Sequence, residues 1–264
     1  MIWTACIDES GTHDDSPISL MGGYLGNESQ WQAFDLAWKS LLASEGITGC
    51  HAEQLMHSSK EFQGWSQRRR ISFLAKAQKA ISEALEFGFT AIIRRNDYKE
   101  LYKGEQKTFK LREDTMYGIL FRGCLLMVEF AVTGNQTPPP DLRLDIVLEK
   151  GHKNSGDVNR LFDLAKKEHL PGCEHVLGNL TVGEKSIFGL QAADLLVYGA
   201  YKLEKRDHWT QPSDIEKSSF ILKPGESTPP GFKEYRFPVR RKSLQMLHAD
   251  FLLPDSQRRQ MQSR

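Results

Sequence analysis

The chain has 264 residues, of which 39% are hydrophobic and 26% charged, and its formal net charge is +1. This length is enough for one large domain or two small ones with a real core, and the near-neutral charge excludes a global basic field while leaving room for a local basic patch. Four cysteines without a C-x-x-C pair are typical of buried thiols in a reducing compartment. No apolar run has the roughly 20 residues of a membrane span, and Asp8 and Glu9 interrupt any signal-peptide core, so we expect a cytoplasmic protein without a membrane partner.

Hydrophobic periodicity predicts strands that alternate with helices after an N-terminal hairpin. The predicted strands cover residues 2–7, 17–25, 46–51, 87–93, 142–148 and, at a sheet edge, 176–182. The predicted helices cover residues 30–43, 67–85, 113–132, 158–167 and 187–202, the first capped by Asn27 or Ser29 and the second by Ser66. The pattern predicts an α/β domain over residues 1–205 with a mixed sheet flanked by helices. Residues 206–264 are predicted to form an irregular C-terminal extension with a short helix at 241–251 and a mobile tail.

Four carboxylates are distinguished by their places in these elements. Asp8 follows the first strand and Glu149 ends another, and sites form at the carboxyl ends of strands in α/β sheets. Asp194 lies in an apolar helix that should be buried, where an acid needs a cation or a hydrogen-bond network. Glu53 follows the predicted third strand. Such acids suit Mg²⁺ or Mn²⁺, and a pair of ions could activate water for phosphodiester cleavage.

Each acid also has a plainer interpretation. Asp8 can accept backbone hydrogen bonds in a turn, Asp194 can pair with a buried Arg or Lys, and Glu53 can be a solvated residue favoured by the dipole of a first helical turn. Glu9 alternates to the strand face opposite Asp8, so we expect a surface or turn residue there. Asp145 shares a strand face with Glu149 and is a reserve candidate.

Histidines and a cysteine lie beside these acids. His13, His51 and His152 are expected to be ordinary polar residues, although one could protonate a leaving group near neutral pH. The spacing of Cys50, His51 and His57 matches no familiar zinc site.

Three motifs together resemble a known family. They are "IDESG" at 7–11, "LEKGH" at 148–152 and "LQAADLLVYGA" at 190–200. They resemble a widespread prokaryotic family catalogued as the domain of unknown function 3800, which looks like a branch of the ribonuclease-H-like superfamily. That resemblance, over roughly residues 2–202, implies a ribonuclease-H-like domain that cuts or joins nucleic acids with a carboxylate-bound metal pair. It implies Asp8, Glu149 and Asp194 as metal ligands, with Glu53 in "HAEQL" as a further catalytic acid.

The superfamily order bears on which strand supplies the second acid. In the usual order the fourth strand lies beside the first, and counting 46–51 as a strand makes 87–93 the fourth. Its end carries Arg94, Arg95 and then Asp97. Either Asp97 or Glu149 therefore supplies a ligand, and we favour Glu149.

Basic residues near these positions are candidates for substrate binding. Arg94 and Arg95 follow a core strand that should end near the site, and Lys150 and His152 follow Glu149. A solvated helix or strand end explains each of them singly, whereas phosphate contacts need several to converge. We expect any binding of nucleic acid to depend on such local cations and to weaken with salt.

The leading hypothesis is a metal-dependent nuclease acting on DNA or RNA, and the resemblance suggests a mobile-element or phage-defence setting. A second hypothesis is a catalytically inactive subunit with the same fold that binds nucleic acid or a protein partner in a larger complex. A third is a phosphotransferase or phosphatase acting on a small substrate. Convergence of the acids at an open face with basic groups favours the nuclease, whereas a Lys or Arg between the acids favours the inactive subunit.

Overall fold

Strands and helices alternate along the chain after an N-terminal hairpin. The computed structural model describes residues 1–13, 15–99, 115–133, 138–151, 154–167 and 176–206, and the backbone of 233–239. The strands in these ranges are β1 (Ile2–Ser10), β2 (Ile18–Asn27), β3 (Phe87–Arg94), β4 (Arg143–Glu149), β5 (Leu177–Gly183) and β6 (Lys233–Val239). The helices are α1 (Glu28–Glu45), α2 (Ala52–His57), α3 (Gln67–Ala84), α4 (Arg95–Asp97), α5 (Met116–Thr133), α6 (Ser155–Lys167) and α7 (Phe188–Arg206), with a 3-10 turn at Lys60–Phe62.

The strands form one mixed sheet in the order β5-β4-β1-β2-β3-β6. β2 is antiparallel to both β1 and β3, while the pairs β1–β4, β4–β5 and β3–β6 are parallel. Every strand except β2 therefore runs in the same direction, so that β1, β4 and β5 end side by side at one edge of the sheet. β6 continues the sheet beyond β3, so the C-terminal extension, predicted to be irregular apart from a helix, contributes a strand to the sheet of the domain.

Helices cover both faces of the sheet. α5 and α6 pack on one face, and α1, α2 and α3 pack with α7 on the other. The two-residue period of β1 separates these faces: Ala5 and Ile7 pack on the α5 side, whereas Cys6 meets α7. A Cβ at Gly189 would lie 2.5 Å from the Cys6 sulfur, so glycine at this position lets α7 approach β1 closely.

The mixed α/β sheet and the N-terminal hairpin confirm the sequence interpretation at that level. The helix caps are also confirmed. The Asn27 side chain accepts a hydrogen bond from the Gln30 amide at the start of α1, and Ser66 accepts one from the Arg69 amide at the start of α3. These side chains satisfy amide groups that have no partner within the helix.

The strand predicted at residues 46–51 is wrong. Gly46 ends α1 in the left-handed conformation with φ 70°. The backbone amides beyond it find side-chain acceptors in place of a strand ladder: Thr48 and Gly49 donate to the Glu61 carboxylate, and Cys50 donates to Gln191. The segment is apolar because Ile47 and Cys50 are buried in the core. A buried loop needs apolar residues just as a buried strand does, so composition could not distinguish the two.

The predicted identity of the fourth strand is therefore also wrong. Without a strand at 46–51, the strand over residues 87–93 is the third, and β2 separates it from β1. The fourth strand is β4, which lies directly beside β1 and ends at Glu149. Asp97 belongs to the short α4 after β3, two strands away from Asp8.

One helix in the described ranges, Met116–Thr133, is long and apolar enough to cross a membrane, but 61% of it is buried inside the fold. That burial is typical of a core helix in a soluble protein. Cys6, Cys50 and Cys124 are free and buried. The helix predicted at 241–251 and the C-terminal tail lie outside the described residues.

Candidate functional site

Parallel pairing of β1 with β4 brings two of the predicted acids together. Ile7 lies opposite Leu148, so Asp8 and Glu149 follow one residue later on adjacent strands. The third acid, Asp194, lies on α7, which the close contact at Gly189 holds against β1. Asp8 and Asp194 are buried, with 1% and 7% of their surface exposed. The structure thus gathers Asp8, Glu149 and Asp194 at the edge where β1 and β4 end.

A lysine lies between these three acids. The Lys185 Nζ atom is 3.0 Å from Asp194 Oδ1, 3.3 Å from Asp8 Oδ2 and 3.4 Å from Glu149 Oε1. Burial alone would lower the pKa of Lys185, but the surrounding carboxylates raise it above its usual value. The surrounding acids therefore favour the charged ammonium form of Lys185.

Sequence reasoning missed Lys185, although a signal for it was present. The residue lies in the turn directly after β5, which is parallel to β4 and ends at the same sheet edge. The rule that pointed to Asp8 and Glu149 applies equally to the segment that follows β5. Asp194 was expected to pair with either a metal or a buried cation, and the structure supplies a cation.

Asp194 has further partners on the segment between α1 and α2. Its Oδ2 atom accepts a hydrogen bond from the Ala52 amide at 2.7 Å and lies 3.0 Å from His51 Nδ1. Burial alone would raise the pKa of Asp194, but His51 and Lys185 lower it below the usual value. Asp194 is therefore ionised and fixed in orientation.

Gln191 fixes the turn that carries Lys185. Its side-chain oxygen accepts hydrogen bonds from Trp38 Nε1 and the Cys50 amide, both at 2.9 Å. Its Nε2 atom donates to the Lys185 carbonyl oxygen at 2.7 Å. One buried amide thus joins α1, the segment before α2 and the Lys185 turn.

Glu9 departs from its predicted role as a surface or turn residue. Strand alternation does place it on the α5 side, where the Tyr117 hydroxyl donates to its Oε2 atom at 3.4 Å. At the strand end, however, one ligand atom each from Glu9, Asp8 and Glu149 lies within 4.8 Å of the others. Burial and the neighbouring Glu149 raise the pKa of Glu9 to about 7. Alternation fails to separate Glu9 from the site because the sheet ends here and side chains from both faces reach around its edge.

The carboxylates at this edge outnumber the cation among them. The pKa of Asp8 is raised well above its usual range because the side chain is buried and the carboxylates of Glu149 and Asp194 lie nearby. Asp8 Oδ1 accepts a hydrogen bond from the Glu9 amide at 2.7 Å, whereas the buried Oδ2 atom lies 3.3 Å from Lys185 Nζ. The cluster could therefore hold an additional cation.

The donors present fit a hard divalent metal. Asp8, Glu9 and Glu149 offer three carboxylate oxygens close together, and Mg²⁺ and Mn²⁺ prefer oxygen ligands. The ligand set expected from the sequence thus gains Glu9, while Asp194 also has Lys185, His51 and the Ala52 amide as partners.

A cleft of about 740 Å³ opens next to the acids. Its lining combines acids, three histidines and several lysines and tyrosines: Glu9, Ser10, Gly11, Thr12, His13, His51, Glu53, His57, Gly151, Lys185, Asp194, Tyr198, Tyr201, Lys202 and Lys205. Glu53 is exposed in the first turn of α2 and reaches this lining. Glu9 and Asp194 therefore face an accessible space that also carries lysines, whereas Asp8 and Glu149 lie behind the described lining.

No protein-family model matches the chain, and no curated protein matches it. The site must therefore be interpreted from its own chemistry.

Arg94 and Arg95, which were predicted to bind substrate, lie outside the described lining of the cleft. Arg95 donates from Nε to the Ser16 carbonyl at 2.7 Å and from Nη2 to the His13 carbonyl at 2.8 Å. It holds the loop between β1 and β2, and neither Arg95 nor the exposed Arg94 lines the described cleft. Their role in binding phosphate stays a prediction, and the contacts of Arg95 favour an anchoring role.

Two further candidates lie beyond Glu149. Lys150 is exposed and lies 3.5 Å from Glu184, and His152 lies outside the described residues. The reserve acid Asp145 is near the opposite end of β4, where it accepts hydrogen bonds from the backbone and side chain of Asn179. Asp145 is therefore a structural acceptor.

Proposed function

We propose that the chain is a divalent-metal-dependent nuclease that hydrolyses phosphodiester bonds of DNA or RNA. One observation carries this proposal: carboxylates from two strand ends and a helix converge at one sheet edge, beside a cleft lined with cations. Carboxylates that hold a metal beside cations that attract phosphate are the parts that phosphodiester hydrolysis needs. A mobile-element or phage-defence setting stays a proposal from the sequence resemblance.

The sheet order supports a ribonuclease-H-like fold as part of this proposal. In that superfamily the fourth strand lies beside the first, and here β4 pairs directly with β1. The acids that the resemblance implied, Asp8 and Glu149, occur at the ends of these two strands. The mixed sheet, with its antiparallel β2 and parallel β4, is consistent with the same assignment.

The roles of the side chains follow from their contacts. Asp8, Glu149 and Glu9 would hold Mg²⁺ or Mn²⁺. Asp194 adds a fourth carboxylate beside them and pairs with Lys185. When bound, such a metal supplies an acidified water and stabilises negative charge on phosphate oxygens. Because the acids keep it protonated, Lys185 acts as a cation toward phosphate rather than as a general base.

A second candidate is a catalytically inactive subunit that binds nucleic acid or a protein partner. Lys185 favours it, because an ammonium 3.0–3.4 Å from Asp8, Glu149 and Asp194 neutralises part of the charge that a metal would neutralise. A buried cation of this kind can stabilise a former metal site without turnover. The excess of carboxylates over cations at the cluster favours the nuclease.

The decisive experiment incubates the purified chain with Mg²⁺, Mn²⁺ or Ca²⁺ and labelled single- and double-stranded DNA and RNA. We expect cleavage of at least one substrate with Mg²⁺ or Mn²⁺, and loss of cleavage in the Asp8→Asn variant. Binding without cleavage under every condition would support the inactive subunit. Hydrolysis of a small phosphate ester, with all four nucleic acids left intact, would instead support a phosphatase.

A further inference from the structure

One face of α7 continues from the acidic cluster along the cleft. Asp194, Tyr198, Tyr201, Lys202 and Lys205 all line this space. Positions 194, 198, 201 and 205 are three or four residues apart, and 202 lies one turn after 198, so all five fall on a single side of the helix. The acidic end of this face therefore leads into an aromatic and basic end.

The two lysines are held by tyrosines one turn earlier. Lys202 Nζ lies 5.2 Å from the centre of the Tyr198 ring, and Lys205 Nζ lies 5.5 Å from that of Tyr201. Such cation–π contacts orient an ammonium without neutralising it. Neither lysine pairs with a carboxylate within the residues that the structure describes. Both charges are therefore available to an anion in the cleft.

The tyrosine ring that contacts Lys205 is itself held in place by the loop between β1 and β2. Tyr201 is buried, and its hydroxyl accepts a hydrogen bond from the buried Ser16 hydroxyl at 3.1 Å. Gly11 adopts φ +70°, and a Cβ there would lie 2.5 Å from the Tyr201 ring. The hairpin loop thus packs against the ring beneath Lys205.

We infer that Lys202 and Lys205 bind backbone phosphates of a single-stranded nucleic acid whose neighbouring phosphodiester lies at the carboxylates. This inference rests on the proposed function for the identity of the ligand. At about 1.5 Å per residue, Lys202 and Lys205 lie roughly 12 and 16 Å from Asp194 along the helix axis. They therefore contact phosphates beyond the one that reacts.

The lining of the cleft favours a single strand. The cleft, of about 740 Å³, has room for a short stretch of nucleotides. Grooves that bind single strands combine cations along the backbone with aromatic side chains, as this helix face does. The lysines carry no information about base identity, so the binding should be independent of sequence.

The test measures binding apart from cleavage. The Asp8→Asn protein in EDTA is titrated with fluorescent single-stranded DNA, single-stranded RNA and a blunt duplex over a salt series. Adding Lys202→Ala and Lys205→Ala should weaken single-strand affinity roughly tenfold and lower the salt slope by about 1.4, because each phosphate contact contributes about 0.7. The pair Lys39→Ala and Lys79→Ala removes the same charge from exposed positions outside the cleft lining and should leave both values unchanged.

Tyrosine variants test the geometry of the same face. Tyr198→Leu should reproduce part of the Lys202→Ala loss, whereas Tyr198→Phe keeps the ring and should bind as the parent does. Equal losses in the cleft and control lysine pairs would overturn the inference, as would equally tight binding of duplex.

The inference and the proposed function fail in different ways. If the parent cleaves with Mg²⁺ but the cleft variants keep its affinity, the inference is wrong and the nuclease stands. If the cleft variants lose affinity while the parent cleaves nothing, the inference stands and the nuclease is wrong.

Discussion

Lys185 Nζ and Asp194 Oδ1 lie 3.0 Å apart and join the turn after β5 to the buried face of α7. The pair lies at the centre of a cluster in which Asp8 and Glu149 share the same ammonium. Fixing several like charges around one cation costs free energy unless that cation is retained or another replaces it. The stability of the site should therefore depend on the Lys185 ammonium, or on a cation that replaces it, to offset the repulsion between the carboxylates.

Removing the Lys185 charge should destabilise the metal-free protein. We expect Lys185→Ala to lower the free energy of unfolding in EDTA by roughly 3 kcal/mol, because it leaves buried carboxylates without their cation. Addition of Mg²⁺ should restore most of that loss. Urea unfolding with and without Mg²⁺ measures both effects, and Lys150→Ala, which removes an exposed lysine, is the matched control. A Lys185→Ala protein as stable as the parent in EDTA would contradict this account.

Glu9 should make the metal-free protein less stable as pH rises. Its pKa is about 7 in the folded protein, compared with an ordinary value of 4.5. Between pH 4.5 and 7 the folded state therefore binds more protons than the unfolded state does. The stability due to protonated Glu9 is complete below pH 4.5 and is lost as pH rises through about 7. In EDTA, Glu9→Gln should therefore gain roughly 2–3 kcal/mol over the parent between pH 4.5 and 8. A stability difference independent of pH would show that Glu9 titrates normally.

Gln191 should couple packing to the position of Lys185. Gln191→Ala leaves the buried Trp38 Nε1 and Cys50 amide without acceptors, which should cost roughly 2–4 kcal/mol in urea unfolding. Gln191→Glu keeps an acceptor for both groups but loses the donor to the Lys185 carbonyl. If the donor positions Lys185, Gln191→Glu should lower the cleavage rate more than it raises KM. An equal loss of stability in both variants with an unchanged rate would confine Gln191 to packing.

Arg95 should hold the hairpin loop. Its guanidinium donates to the carbonyls of His13 and Ser16, so Arg95→Ala should speed amide hydrogen exchange or proteolysis in residues 11–17. Arg94→Ala, the exposed neighbour, should not. The sequence-based alternative is that both arginines bind phosphate. A lower salt slope for nucleic-acid binding in both variants, with an unchanged loop, would support that alternative.

The sequence predicted the elements better than their pairing. Periodicity located the long helices and the strands that carry Asp8 and Glu149, because burial of one face leaves a local pattern. It misassigned residues 46–51, since a loop that buries Ile47 and Cys50 has the same apolar composition as a short strand. That error displaced the numbering of later strands and brought Arg94 and Arg95 nearer to the site than they are.

The site was predictable where each residue depends on its own element, and less so where distant elements meet. Asp8 and Glu149 lie in the last residues of strands, and Asp194 is an acid in an apolar helix. Lys185 and Glu9 join them through the parallel pairing of β4 with β5 and the end of the sheet, which no local pattern records.

Binding of Mn²⁺ tests the central claim most directly. The paramagnetic resonance signal of free Mn²⁺ is titrated with the parent, with Asp8→Asn and with Asp163→Asn, which removes an exposed carboxylate from α6 as a control. We predict that the parent and Asp163→Asn bind Mn²⁺ with the same affinity and that Asp8→Asn binds it at least tenfold more weakly. Equal Mn²⁺ affinity in Asp8→Asn and the parent, or no binding by the parent, would contradict a metal site at these carboxylates.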